Sequence, residues 1–296
     1  PRNDLQVFSE IAAGFWRLRD WNMSQKQLIH FVIQCLEMGI TTFDHADIYG
    51  LYTCEEIFGK AMAGQSSLRS RMQLVSKCGI KLVSEKNPGL RTKIYDTGSD
   101  HIIRSVENSL RALHTDYLDA LLIHRPDPLM DPGNTAEAFT LLRDSGKVLH
   151  FGVSNFLPSQ FGLLQSFVDF PLITNQVEIS VMKLDAFSDG VLDQCRQYGI
   201  KPMAWSPLGG GALFHSQEPQ AQRLRASLEA IGSELGNYSI EQVALAWLLH
   251  HPSGIIPVLG TGNIERVKQS AEAGKIKLTR EQWFSIWMAS TGAELP

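Results

Sequence analysis

The sequence predicts an α/β fold, a (β/α)8 TIM barrel with extra loops and a C-terminal helix, and three observations carry that expectation. Eight short β-branched or aliphatic runs alternate with longer segments of helical periodicity. The alternation continues to nearly the end of the 296 residues without a linker or low-complexity tract, which favours one closed barrel over residues 1–296 rather than two domains. Hydrophobic residues make up 44% and charged residues 20%, the balance of a chain that can bury a large core.

The elements follow in order. A first strand at Ile11–Gly14 precedes a helix over 24–38 that Ser24 is placed to cap. Thr41–Asp44 is followed by a helix at 53–63, and Met72–Lys77 by one at 101–114. In "NSLRALHTDYLDALLIH" the helical period gives way to a buried strand, Tyr117–His124. Helices at 134–145, 158–167 and 186–198 then alternate with strands Val148–Ser154, Ile173–Glu178 and Lys201–Ser206. A segment rich in Gly, Gln and Ala, about 207–238, interrupts the rhythm and reads as a loop with a helix. A helix at 239–250, the strand Ile255–Leu259, a helix at 263–272 and a packing helix from about 279 complete the chain.

Charge and cysteine usage exclude several partners. A net charge of −4 offers no basic footprint for nucleic acid or an anionic membrane. No apolar run approaches the roughly 18 residues of a membrane span, and the start "PRNDLQVFSE" lacks the basic-then-apolar order of a signal peptide. The four cysteines are widely spaced, with neither a CxxC pair nor zinc-ligand spacing, so a cytoplasmic location and no metal are expected. No coiled-coil heptad or self-complementary patch stands out, so the expected state is a monomer or weak homodimer acting on a small molecule.

Active sites of this architecture sit at the C-terminal strand ends. Those ends read Asp44, Lys77, His124, Ser154 with Asn155, Gln176 with Glu178, Ser206, and Gly260 with Thr261. A polar residue ending one strand is ordinary; one shared site explains seven. Tyr49 adds a phenol whose ordinary pKa is about 10. A neighbouring Lys77 ammonium is expected to lower that value, with Asp44 orienting Lys77 and His124 hydrogen-bonding a substrate oxygen. This set delivers a proton to a carbonyl that is becoming an alcohol. The accompanying hydride requires a nicotinamide.

No G-x-G-x-x-G follows a strand, so a Rossmann mode is not indicated. "GTGNIE" at 260–265 instead suits a helix N-terminus receiving a phosphate, with Arg266 adding charge, and "SPLGGG" at 206–211 suits a pyrophosphate.

Taken together, the sequence resembles an aldo-keto reductase over nearly its whole length. Asp44 and Tyr49 in "FDHADIYG" fit the family's D-x-x-x-x-Y, and "LVSKCGI", "LLIHRPD", "GVSNF", "TNQVEIS" and "WSPLGGG" follow in family order. "DHADIYG" with "LLIHRPDPLMD" resembles the bacterial YdhF-type branch. The resemblance implies an extended NADPH, with NADH as an alternative, and a carbonyl substrate. Tyr49 would be the general acid, Lys77 and Asp44 would tune it, and His124 would orient the carbonyl. It further implies that Ser154, Asn155 and Gln176 hold the nicotinamide carboxamide and that Trp205 takes the place of the usual ring-stacking tyrosine. Ser206, Leu208 and Gly210 would lie along the pyrophosphate. Gly260, Thr261, Gly262, Asn263 and Arg266 match the adenosine-phosphate segment, and Gln269 falls near the adenine positions. Many members carry a cation where this chain has Gly260 and Gly262; Arg266 remains, so an NADP preference is expected.

Other polar and aromatic residues are read as structural. His45 is assigned to the pocket and Asp47 to local structure, His250 and His251 to a helix end, Cys78 to the core, and Trp16, Trp21 and Trp247 to packing, with Trp16 also able to line a substrate pocket. Loops 15–23, 79–100, 126–133 and 207–238 are expected to choose the substrate. A second function class is a nicotinamide-binding redox sensor, resembling the potassium-channel β-subunit branch. The complete Asp44, Tyr49, Lys77, His124 set favours the enzyme.

Overall fold

The computed structural model describes residues 7–295; residues 1–6 and 296 lie outside that range. Its strands are β1 Ala12–Gly14, β2 Thr42–Asp44, β3 Gln73–Cys78, β4 Ile80–Lys81, β5 Ile94–Tyr95, β6 Leu118–Ile123, β7 Val148–Ser154, β8 Leu172–Glu178, β9 Met203–Trp205 and β10 Ile256–Leu259. Eight of these close a parallel barrel in the order β1-β10-β9-β8-β7-β6-β3-β2, and β4 and β5 form a separate antiparallel hairpin. The helices are α1 Gln25–Glu37, α2 Cys54–Met62, α3 Ser66–Arg69, α4 Ser99–Leu113, α5 Pro132–Asp144, α6 Pro158–Gln165, α7 Val191–Tyr198, α8 Ala212–His215, α9 Pro219–Glu234, α10 Ile240–Leu249, α11 Ile264–Ala271 and α12 Arg280–Thr291.

All eight expected strands form within a few residues of their expected bounds, and Ser24 caps α1 in a reciprocal capping box with Gln27. The expected helix 186–198 is instead a 3-10 turn at Asp185–Phe187 followed by α7. Gly190, at φ 87°, breaks the continuity. Segment 207–238 resolves into a glycine turn, α8 and α9, and loop 79–100 carries the β4–β5 hairpin.

Strand alternation separates two apolar layers. Phe8, Ala12, Val75, Ala120, Leu122, Ile173, Met203, Ile256 and Val258 pack in the lumen, while a larger cluster joins the outer strand faces to the helices. Because Val75 and Leu122 face inward, Lys77 and His124 two residues later do so as well. Ser76 and Cys78 therefore face outward, Ser76 donating to Glu55 Oε1 at 2.6 Å and Cys78 being buried against the helices.

One strand departs from strict alternation. Phe151 pairs with Leu172 but Val153 with Asn175, so β8 carries one extra residue in a bulge. The bulge turns Gln176 to the same side as Asp44, which it reaches. Gly152 lies opposite: a Cβ there would sit 2.8 Å from the Thr174 carbonyl oxygen and from Leu122 Cδ2, so the bulge requires glycine.

Outside the barrel, α12 docks through Trp283, stacked on Trp247 at 4.7 Å between centroids and 11° between planes. Each indole N–H donates to the other's backbone carbonyl, at 3.0 and 3.1 Å, so both buried polar groups are satisfied.

Candidate active site

At the C-terminal mouth, a cleft of about 920 Å3 is lined by the tops of the barrel strands and their loops. Its floor is the Asp44–Lys77 ion pair, with both side chains essentially buried. Lys77 Nζ donates to both Asp44 oxygens at 2.7 and 2.8 Å, to the His45 carbonyl at 2.8 Å and to the Tyr49 hydroxyl oxygen at 3.0 Å. A lysine has three N–H donors, so this geometry occupies all of them. The Tyr49 oxygen accepts from Lys77, which leaves its own proton free to be donated. His124 stands edge-on to the Tyr49 ring at 5.9 Å, and its Nδ1 is buried without a hydrogen-bond partner.

The titrating groups are set by burial against charge. Burial lowers Lys77, but Asp44 and Tyr49 outweigh it and hold its pKa above the ordinary lysine value. Burial raises Tyr49; Lys77 opposes that rise without reversing it, so the phenol sits above its ordinary range. This corrects the expectation that Lys77 lowers the phenol's pKa outright. Burial, with Lys77, Arg125 and Lys93 behind it, pushes His124 well below the usual histidine value. A phenol O–H and a neutral imidazole therefore face one cleft at neutral pH.

The second wall is a chain of polar contacts across β7, β8 and β9. Ser154 Oγ donates to the Gln176 carbonyl at 2.7 Å, and Asn155 Nδ2 donates to Ser154 Oγ at 2.8 Å and to the His124 carbonyl at 3.2 Å. Gln176 Nε2 donates to Asp44 Oδ1 at 2.8 Å, and Trp205 Nε1 to Asn155 Oδ1 at 2.9 Å. Asn155 and Ser206 hold positive φ, 63° and 50°, at the strand tops.

Beyond this wall the cleft runs past Ser206, Leu208, Gly210, Gly260, Thr261, Gly262 and Arg266. Gly210 and Gly211 line the cleft with positive φ and without side chains, so the backbone there is open to a close ligand. Arg266 makes no ion pair among the described residues. Amide and hydroxyl groups at one end, exposed glycine backbone in the middle and a free guanidinium at the other suit an extended dinucleotide.

Several residues expected at the site lie outside the lining of the cleft. Asn263 is not part of the lining: its Oδ1 caps α11 by accepting from the Glu265 and Arg266 amides, at 2.9 and 3.3 Å, so those amides are not free for a phosphate. Gln269 faces a separate depression beside Met38, Gln242 and Lys268. His45 is not a pocket residue; it is fully buried, stacked on Phe15 at 4.7 Å and edge-on to Phe58 at 4.6 Å, and burial with Lys77 lowers its pKa to about 3. Glu178 and loop 126–133 do not reach the cleft, whereas Ile48 and Leu51, beside Tyr49, do. Asp47 is buried with one unpartnered oxygen, and burial and Glu55 raise its pKa well above the carboxylate range. Trp16 is 58% exposed at the rim, and Trp21 covers Gly262 closely enough that a Cβ would lie 2.6 Å from its ring. Arg17, Lys93, Arg125 and Phe214 also line the cleft and carried no sequence signal beyond loop position.

Among the described residues no helix is long and apolar enough to cross a membrane, and no group of three or more His, Cys, Asp and Glu side chains is placed to hold a metal. Residues 10–289 match the Aldo/keto reductase family profile. The chain is 52% identical to Oxidoreductase YdhF of Escherichia coli over 98% of this chain and 96% of that one. It is 44% identical to a 6-dehydroglucose reductase of Agrobacterium fabrum over 99% and 98%. An aldo-keto reductase from Klebsiella pneumoniae, solved in complex with NADPH, superposes with a TM-score of 0.77 at 28% identity, covering 94% of this chain and 90% of that one. With this profile match over the barrel and its mouth, the chain belongs to the aldo/keto reductase family and is an NAD(P)H-dependent oxidoreductase.

Proposed function

We propose that the protein reduces an aldehyde or ketone to an alcohol, with Tyr49 as proton donor and NADPH as the preferred cofactor. The observation that carries this reading is the Tyr49 hydroxyl oxygen accepting from the buried Lys77 ammonium while its own proton is left for the cleft. When bound, the nicotinamide supplies the hydride that goes to the carbonyl carbon. Tyr49 gives its proton to the carbonyl oxygen, so the products are the alcohol and the oxidised cofactor. Lys77 stabilises the phenolate left behind until solvent reprotonates it, and Asp44 keeps Lys77 charged and aimed. Neutral His124 orients the carbonyl oxygen toward Tyr49. Ser154, Asn155 and Gln176 would hold the carboxamide beside Trp205, and Ser206, Leu208, Gly210, Gly260, Thr261, Gly262 and Arg266 the rest of the cofactor; Asn263 contributes by capping α11. We take the working unit to be one barrel domain in the cytoplasm, a monomer or weak homodimer. The 6-dehydroglucose reductase relative supports a polar carbonyl substrate.

The test is NADPH absorbance decay over a panel of aromatic aldehydes and 1,2-dicarbonyls with wild type and Tyr49→Phe. The substitution is expected to leave cofactor binding nearly intact and to cut turnover by ~10²-fold or more. Turnover retained in Tyr49→Phe would remove Tyr49 from the role. Tight NADPH binding with no turnover of any carbonyl would favour the sensor reading.

A further inference from the structure

Two cations that line the cleft, Arg125 and Lys93, have no part in the proton transfer or in holding the cofactor as described above. Arg125 follows His124 at the top of β6 and places its guanidinium over the Trp205 indole, 5.7 Å from the ring centroid. Lys93 leads into β5, with its Nζ 5.9 Å from the Tyr95 ring centroid. Both line the cleft. They come from the connections that follow β3 and β6, which are paired neighbours in the barrel, so both belong to the sector of the mouth that holds His124. The glycine turn and Arg266 follow β9 and β10, elsewhere around the ring.

Neither cation makes an ion pair among the described residues, although other lysines nearby do: Lys77 pairs with Asp44 and Lys81 with Asp96. The chain's net charge is −4, so unpaired positive charge on one wall of a cleft is a local concentration and not a general excess. Arg125 is half-buried and Lys93 exposed, so their combined field at the mouth is partly screened by solvent and attracts an anion. Their field also contributes to holding His124 neutral, behind burial and Lys77. Arg125 lies over an aromatic face, the arrangement that leaves a planar guanidinium's N–H edge free for bidentate contact with an oxyanion.

We propose that Lys93 and Arg125 bind an anionic group of the substrate, a carboxylate or a phosphate, while its carbonyl lies against Tyr49 and His124. The preferred substrates are then aldehydes or ketones that carry such a group. This inference rests on the reductase reading and adds the charge of the substrate to it. Arg125 provides the directed contact; Lys93, which is exposed, mainly attracts and steers.

The test compares kcat/KM within two matched pairs, 4-carboxybenzaldehyde against benzaldehyde and glyceraldehyde 3-phosphate against glyceraldehyde. It is run on wild type, Arg125→Met, Arg125→Lys and Lys93→Met, with thermal melting confirming that each variant folds. Wild type is expected to favour the anionic member of at least one pair by about tenfold or more. Which pair shows the preference tells carboxylate from phosphate. Arg125→Met should reduce that ratio about tenfold, Arg125→Lys should restore part of it, and Lys93→Met should reduce it about threefold. A wild-type ratio near one in both pairs, or a ratio that Arg125→Met leaves unchanged, overturns the proposal. Binding separates this from failure of the reductase reading: tryptophan quenching of the NADP-loaded protein by 4-(hydroxymethyl)benzoate is compared with benzyl alcohol. Selective binding of the acid that Arg125→Met weakens supports the anion site even if no aldehyde turns over. Equal binding of acid and alcohol, together with no preference for the phosphorylated member of the second pair, overturns it.

Discussion

Trp205 and Asn155, fifty residues apart, are joined by an indole N–H to amide oxygen hydrogen bond of 2.9 Å. The bond leaves the Asn155 amide nitrogen pointing at Ser154 and His124, and so fixes which end of the amide faces each neighbour. Trp205→Phe keeps a flat ring but removes the donor, leaving the Asn155 amide oxygen without that partner. NADPH dissociation constants from fluorescence titration are expected to rise about five- to tenfold, the loss of roughly one hydrogen bond. An unchanged constant would mean that the Asn155 orientation does not depend on Trp205.

The buried Asp44–Lys77 pair makes a sharper thermodynamic prediction. Lys77→Met leaves Asp44 buried beside Gln176 without its counter-charge, which is expected to cost about 3–5 kcal/mol of stability in urea unfolding. Adding Asp44→Asn to Lys77→Met removes the uncompensated charge and should recover most of that loss. Turnover should stay lost in both. A double variant as unstable as the single one would show that packing, and not charge, sets the cost.

His45 predicts a pH dependence of stability. Unfolded, its ring takes a proton near the ordinary pH of 6.5; folded, it takes none until about pH 3. Its contribution to stability is therefore complete above pH 6.5 and is lost as the pH falls toward 3. Between pH 6.5 and 4 the loss is roughly 3 kcal/mol. His45→Leu should flatten the acid limb by about that amount when unfolding is measured at pH 7 and pH 4. The raised carboxyls Asp47 and Glu55 act in the opposite sense and are common to both proteins. Parallel acid limbs in the two proteins would refute the assignment.

Gly260 and Gly262 are separated by their surroundings. A side chain at Gly260 meets nothing within 4 Å, whereas one at Gly262 meets the Trp21 ring at 2.6 Å. Gly260→Lys is thus expected to raise the preference for NADPH over NADH about tenfold through a charge-assisted contact with the 2′-phosphate. Gly262→Lys should displace Trp21 and lower the melting temperature instead. Comparing kcat/KM for the two cofactors in both variants decides this.

Much of the barrel is legible because a strand buried on both faces reads as an unbroken apolar run, and because each run here stops at a polar side chain. Asp44, Lys77 and His124 could be placed together from those endings alone. Period-2 alternation from Asp44 also sends His45 outward, away from the pocket, where it packs on Phe15 and Phe58. Gln176 is a harder case. Its inward direction depends on one extra residue in β8, and no local pattern announces a bulge. Asn263 was ambiguous in principle, since asparagine serves equally as a helix cap and as a ligand. Arg125 and Lys93 sit in connections whose side-chain directions depend on the loop path and not on a repeat.

The barrel's seam has a consequence for how the chain is made. β1 pairs with β10, Ala12 with Val258, so the first strand waits for one of the last. At the usual rate of synthesis, about 5–20 residues per second, the wait is roughly 12–50 seconds. Throughout that interval one edge of the nascent sheet has no partner and is open to pairing with a neighbouring chain. The final segment prolongs the delay, because the indole of Trp247 finds its acceptor only when Trp283 has been added.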